Sequence, residues 1–224
     1  MGRSPRAPPA VLPPAAPMLR KTLSPCSDRG QAGFHVVELV VVLAILSFVL
    51  TLGLPAFLDW TSGLRLDLTA MELTGILRGA RSFAIRHSAN VAVKFHAEAD
   101  GTVTYALYRD GNGNGVLNAD IASGADPAVT PPHRIDQLGN RVRLGFPPGP
   151  PARDPTTPSR FLHPGDDPIR FNQSDLASFT AIGGATPGSL FLTDGRSRLM
   201  TVRVTGMTGR VRVMRYDFAA QIWR

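Results

Sequence analysis

Oxygen-bearing side chains alternate with glycine along Asp110-Gly111-Asn112-Gly113-Asn114-Gly115-Val116, and the pattern continues through Asn118 to Asp120. Asp110, Asn112 and Asn114 occupy the first, third and fifth positions with glycine at the sixth, as at the front of an EF-hand-type calcium loop. Glycine there permits a sharp turn, and the Val116 carbonyl would supply a further oxygen. The end departs from that pattern: the twelfth position is Ile121 instead of a bidentate Glu, and Asp120 comes one residue early. Two readings stay open. In one, Ca2+ stiffens the loop through Asp110, Asn112, Asn114, Val116 and Asp120. In the other, Gly and Asn simply tolerate the positive φ of a hairpin loop that needs no ion. Neither reading is catalytic.

A second cluster is cationic. Arg196, Arg198, Arg203, Arg210, Arg212, Arg215 and Arg224 face only Asp217 across residues 196–224, a local charge of +6. Phosphate contacts need such a patch, which makes DNA a candidate partner; solvated strand faces explain the same arginines. Catalytic signatures are missing. There is no phosphate-cradling glycine loop, no GxSxG, no HExxH and no recognisable carboxylate pair. His87 has no His, Cys or acid at ligand spacing and reads as a helix-end residue. The expectation is a protein that is not an enzyme and requires no cofactor.

The third chemically informative residue is Glu38. It lies inside the run VVELVVVLAILSFVLTLGLPAF, residues 36–57, which is long enough to cross the hydrocarbon core of a bilayer. A carboxylate near the end of such a helix costs about 2 to 3 kcal/mol unless a partner meets it. Upstream, Arg3, Arg6, Arg20, Lys21 and Arg29 stand against Asp28 alone, so the formal charge of +7 falls to +3 beyond residue 33. Positive residues before an apolar span hold the leader in the cytoplasm and send the rest across. Cys26, the only cysteine, lies in this leader, so the exported part has no disulfides. Met18, followed by Leu-Arg-Lys, would give a shorter leader and is a candidate start.

An ordinary secretory signal ends in a cleavage site after its apolar segment. Here Gln31-Ala32-Gly33-Phe34-His35-Val36-Val37-Glu38 sets a glycine-aromatic junction before it. This arrangement resembles the type IV prepilin leader. The resemblance implies that a prepilin peptidase cuts between Gly33 and Phe34 on the cytoplasmic side. The apolar helix is then retained and the new amine of Phe34 is methylated. It further implies that Glu38 meets the terminal amine of a neighbouring subunit, and that Pro55, twenty-one residues after Phe34, bends or locally melts the long helix. The stretch Leu77 to Val93, and the run from Phe171 through Gly188-Ser189-Leu190-Phe191-Leu192 to Met207-Thr208-Gly209-Arg210-Val211, are similar to GspH/FimT proteins. Those are minor subunits of type II secretion pseudopili or type IV pili. The implied partners are other pilin subunits and the inner membrane, with a single-pass anchor, a periplasmic head and a place at or near the filament tip. Some FimT-like proteins bind DNA for uptake through a basic C-terminal region.

These motifs need a scaffold. Residues 1–33 read as the leader and 34–60 as the membrane and assembly helix. Residues 61–89 read as an amphipathic continuation in which Leu64, Leu68, Met71, Ile76, Ala80, Phe83 and Ala84 form the apolar stripe. From residue 90 the period becomes two, with strands at Val91–Phe95, Thr102–Tyr108, Arg141–Phe146, Ile169–Asn172, Ser189–Thr193, Arg198–Val204 and Arg210–Tyr216. Turns fall at Asp100-Gly101, Asp194-Gly195 and Thr208-Gly209. Proline-rich residues 147–168 read as a long exposed loop without regular structure. The fold class is α+β: a long helix and a β-rich head.

Overall fold

The computed structural model describes residues 36–98, 102–135, 138 and 142–224. The Gly33-Phe34 junction, Cys26, Arg141 and the Asp100-Gly101 turn lie outside the described residues. A single helix, α1, runs Val36–His87 and stays continuous through Gly53 and Pro55. One compact unit ends at Ser47; the other is Phe48–Arg224. Every described side chain from Val36 to Phe57 is exposed, and the helix is long and apolar enough to cross a membrane.

The buried stripe of α1 contains Ala80 and Ala84 as read from the sequence, with Ile76 and Phe83 partly buried beside it, but its first half differs. Leu66, Ala70, Leu73, Leu77, Ala80 and Ala84 are buried, in steps of four and three residues. Leu64, Leu68 and Met71 are instead exposed, at 47%, 43% and 68%. Both sets satisfy helical periodicity, and residues two apart on a helix differ by about 200° in direction. Only packing against the head selects one.

The head begins with β1 (Val91–Ala97) and β2 (Val103–Arg109), followed by the short helix α2 (Asn118–Ser123). Then come β3 (His133–Arg134), β4 (Arg143–Leu144), β5 (Ala152–Arg153), β6 (Phe161–Leu162) and β7 (Ile169–Arg170). The chain continues with β8 (Leu176–Phe179), β9 (Gly188–Thr193), β10 (Leu199–Thr205), β11 (Arg210–Asp217) and β12 (Ile222–Trp223). One antiparallel sheet has the order β3-β2-β1-β8. A second has the order β12-β11-β10-β9-β4, with β7 also on β9. Val91, Val93 and Phe95 of the first sheet share one core with the buried stripe of α1 and with Leu190, Leu192, Met200, Val202 and Val204 of the second. Met200, Val202 and Val204 of β10 alternate toward this core, while Leu199 and Thr201 of the same strand are buried on the opposite face.

Residues 147–168 are largely exposed, as the sequence suggests, but they do contain regular structure. β5 pairs with β6, and Ala152 and Leu162 are buried with Phe146, Phe191, Leu199 and Tyr216 in a second cluster on the outer face of the second sheet. The prolines shorten the strands to two residues each but do not prevent the pairing. This strap is clamped through its backbone. Arg153 N–H donates to the Tyr216 hydroxyl at 3.1 Å, Trp223 Nε1 donates to the Arg153 carbonyl at 2.7 Å, and Arg203 donates to the Pro155 carbonyl at 2.7 Å.

Candidate functional site

The loop after β2 folds around its aspartates. Asp110 Oδ1 accepts the N–H groups of Gly113 at 2.6 Å and Asn112 at 3.2 Å; Oδ2 accepts Gly115 N–H at 2.8 Å and the Asn90 amide at 3.0 Å. Burial pushes this carboxyl up, but the bonds from Asn90, Gly115, Gly113 and Asn112 outweigh it and hold it below the ordinary 3.8. Asp120 Oδ2 accepts the side-chain amides of Asn114 at 2.9 Å and Asn112 at 3.1 Å. The predicted set Asp110, Asn112, Asn114 and Asp120 is therefore brought together, with Gly115 at φ 92° making the turn.

One contributor was not foreseen in the sequence. Asp126, 1% exposed, accepts Gly111 N–H and Leu117 N–H, both at 3.0 Å, and closes the loop from its far end. Val116 serves through its side chain, buried against Ala92 and Leu176 on the far side of the first sheet. The carboxylate oxygens of Asp110, Asp120 and Asp126 thus face N–H donors of the loop and of Asn90. Among the described residues no group of three or more His, Cys, Asp or Glu side chains is placed to hold a metal ion.

The arginines divide by role, and three of the predicted phosphate contacts hold the head together instead. Arg198 Nη2 pairs with Asp59 at 2.6 Å, and its Nη1 donates to the Asp59 carbonyl at 2.7 Å. Arg215 pairs with Asp67 at 2.5 Å. Arg203 holds the strap. Arg196, Arg210 and Arg212 are exposed. Arg210 shares a 450 Å³ surface pocket with Arg78, Arg81, Ser82, Thr208, Gly209 and Val211, and no carboxylate lines it. The turn beneath is tightly constrained: Gly209 sits at φ 57°, and a Cβ there would collide with the Gly183 carbonyl and Arg81.

On α1, Glu38 is exposed in the first described turn, and Pro55 lies inside the continuous helix. Beyond Pro55 the exposed apolar residues Phe57, Trp60, Leu64, Leu68 and Met71 follow one another at steps of three and four. They form an unbroken helical stripe on a different face from the buried one. No family model, curated protein or solved structure matches the chain.

Proposed function

We propose that the protein is a prepilin-type minor subunit of the GspH/FimT kind, anchored in the inner membrane by α1. In this reading it is a structural component of a type II secretion pseudopilus or a type IV pilus, with its head in the periplasm. The observation that carries the reading is the exposed stripe Phe57, Trp60, Leu64, Leu68 and Met71. Residues 36–57, at about 1.5 Å per residue, already supply a bilayer's thickness of apolar helix. A plain membrane anchor has no use for another four turns of exposed Trp, Leu and Met. A helix that packs against neighbouring helices both inside and outside the bilayer does.

Glu38 would be neutralised by the Phe34 amine of the adjacent subunit, which removes the cost of a carboxylate in the apolar segment. Mass spectrometry of the chain extracted from membranes should give an N-terminus at Phe34. A different terminus, or unaltered processing of Gly33→Lys, would overturn the prepilin part of the reading.

A second reading, DNA uptake, is favoured by the Arg78, Arg81 and Arg210 pocket, where three guanidiniums meet without a lining carboxylate. Duplex binding that weakens steeply with salt and is lost in an Arg78→Gln, Arg210→Gln double variant would make it the better reading. Salt-insensitive or undetectable binding would retain the purely structural role.

A further inference from the structure

Four adjacent strands bring their polar residues into one line. Arg170 of β7 stands opposite Ser189 of β9, Ser189 opposite Arg203 of β10, and Arg203 opposite Arg212 of β11. All four belong to the outer face, because the alternate residues Ile169, Leu190, Val202 and Val211 are buried in the main core. At about 4.8 Å per strand the row spans roughly 14 Å. Like charges directly opposite each other in antiparallel strands are destabilising, so the Arg203 and Arg212 pair works against the stability of the head.

The charges in this row are unequally compensated. Arg170 is neutralised and fixed: it pairs with Asp154 at 3.1 Å and Asp166 at 3.6 Å, and its Nε donates to the Asp167 carbonyl at 3.1 Å. Among the described residues, Arg203 donates to the neutral Pro155 carbonyl. Among the described residues neither Arg203, Arg212 nor Arg160 makes an ion pair with a carboxylate.

A cleft of about 610 Å³ opens over the Arg170, Ser189 and Arg203 part of this row, and Arg160 lines it as well. Of its two lining carboxylates, Asp154 is fully engaged in building the wall, and Asp167, exposed, uses one oxygen to do so. Asp154, 8% exposed, accepts Thr156 N–H at 2.7 Å and Thr157 N–H at 3.3 Å besides holding Arg170. Asp167 accepts Ile169 N–H at 2.9 Å. Thr156, Thr157, Asn172 and Gln173 add hydroxyl and amide groups, and apart from Pro187 and Gly188 the lining is polar or charged throughout. Such a lining recognises its ligand through hydrogen bonds and charge, not by burying apolar surface. The volume suits one or two sugar rings better than an extended macromolecule.

We propose that this cleft binds an acidic sugar, a hydroxyl-rich body bearing a carboxylate or phosphate. The anion is held by Arg203 and Arg160, and the hydroxyls by Asn172, Gln173 and Thr157. Arg170, fixed by Asp154, supports the cleft's geometry. This site is distinct from the Arg78, Arg81 and Arg210 pocket and does not depend on either reading of the protein's wider role.

The test uses the full chain in detergent micelles, with calorimetry and thermal shift against glucuronate, glucose 6-phosphate, glucose and inorganic phosphate. Glucuronate or glucose 6-phosphate, or both, should bind at least tenfold more tightly than glucose and than phosphate alone; which of the two is stronger identifies the anion's source. Arg203→Gln and Arg160→Gln should each weaken that binding about tenfold, and Arg65→Gln on the exposed face of α1 should leave it unchanged. If Arg203→Gln fails to fold, Arg160→Gln and Gln173→Ala carry the test alone. No binding of either acidic sugar up to 10 mM, as an order-of-magnitude ceiling for a specific site, would overturn the proposal. So would equal binding of inorganic phosphate, an adventitious ion only.

Discussion

Arg198, just before β10, reaches back 139 residues to Asp59 on α1 and engages it twice, through the carboxylate at 2.6 Å and the backbone carbonyl at 2.7 Å. Gly63 makes room for it, since a Cβ at that position would lie 2.8 Å from the Arg198 guanidinium. The first contact is charge-assisted and half-exposed, so solvent screening limits its worth to about 1 kcal/mol. A double-mutant cycle of Asp59→Ala and Arg198→Ala should give a coupling of that size in chemical denaturation. Gly63→Leu should displace the guanidinium and destabilise the head without removing any charge. A coupling near zero would mean that the pair merely coexists.

The two apolar stripes of α1 predict opposite phenotypes. Leu73→Ala and Leu77→Ala remove fully buried side chains from the main core and should each cost about 2 to 5 kcal/mol. For a domain of this size that lowers the melting temperature by roughly 5 to 15 °C. Serine at Leu64, Leu68 and Met71 should change stability by no more than about 0.5 kcal/mol per site. Photo-crosslinking from position 60, on the same exposed stripe, to neighbouring subunits should nevertheless vanish in that triple variant. Retained crosslinks would argue that the apolar side chains of the outer stripe do not hold the subunits together.

Glu38→Ala should insert into the membrane at least as well as the native chain, because the costly carboxylate is gone. Recovery of other pilin subunits by pull-down should nevertheless fall sharply, since the amine it would neutralise is left unpaired. Equal recovery would count against the pairing.

Asp110 and Asp175 give opposite pH signatures. Asp110 is held below its usual value in the folded protein, so its contribution is fully present above the unfolded value near 3.8 and is lost as pH falls through the folded one. Asp175 is raised, chiefly by burial and then by the Asp167 charge, with Lys94 opposing. Its sign is reversed: stability is greatest below 3.8 and declines as pH rises through the folded value. Asp110→Asn should therefore be destabilising at pH 7, with a smaller penalty near pH 3, while Asp175→Asn should stabilise the protein at pH 7. Denaturant midpoints from pH 3 to 7, repeated with EGTA and with Ca2+, would also show whether the loop's own hydrogen bonds suffice. A midpoint that moves with Ca2+ would favour the ion-stiffened loop.

Much of this was legible in the sequence, for identifiable reasons. β1, β2, β9, β10 and β11 announce themselves because one side of each faces a core, which imposes period two on Val91, Val93 and Phe95 and on Met200, Val202 and Val204. The asparagine and glycine loop was visible because positive φ restricts residue choice. Other parts depended on tertiary contacts that leave no local trace. Leu64, Leu68 and Met71 match a helical period as well as Leu66, Leu73 and Leu77 do, and only the head's position decides between them. The strap's two short strands hide among prolines, because residues 152–153 and 161–162 are ordered by Tyr216, Trp223 and Arg203 and not by their own propensity. Asp126 lacked a signal because it lies six residues beyond the motif it closes.

The clamps on the strap also impose a temporal order. Arg153 is bound by residues 63 and 70 positions later, and Pro155 by one 48 positions later. Loops of that length close slowly compared with a helix or a hairpin. α1 and the β1–β2 hairpin can form from local contacts as soon as their own residues are free to fold. The cluster of Phe146, Phe191, Leu199 and Tyr216 must wait until the strands carrying Tyr216 and Trp223 are in place as well. Until then the outer face of the second sheet is bare, and a chain that stalls there offers apolar aromatic surface to chaperones and proteases.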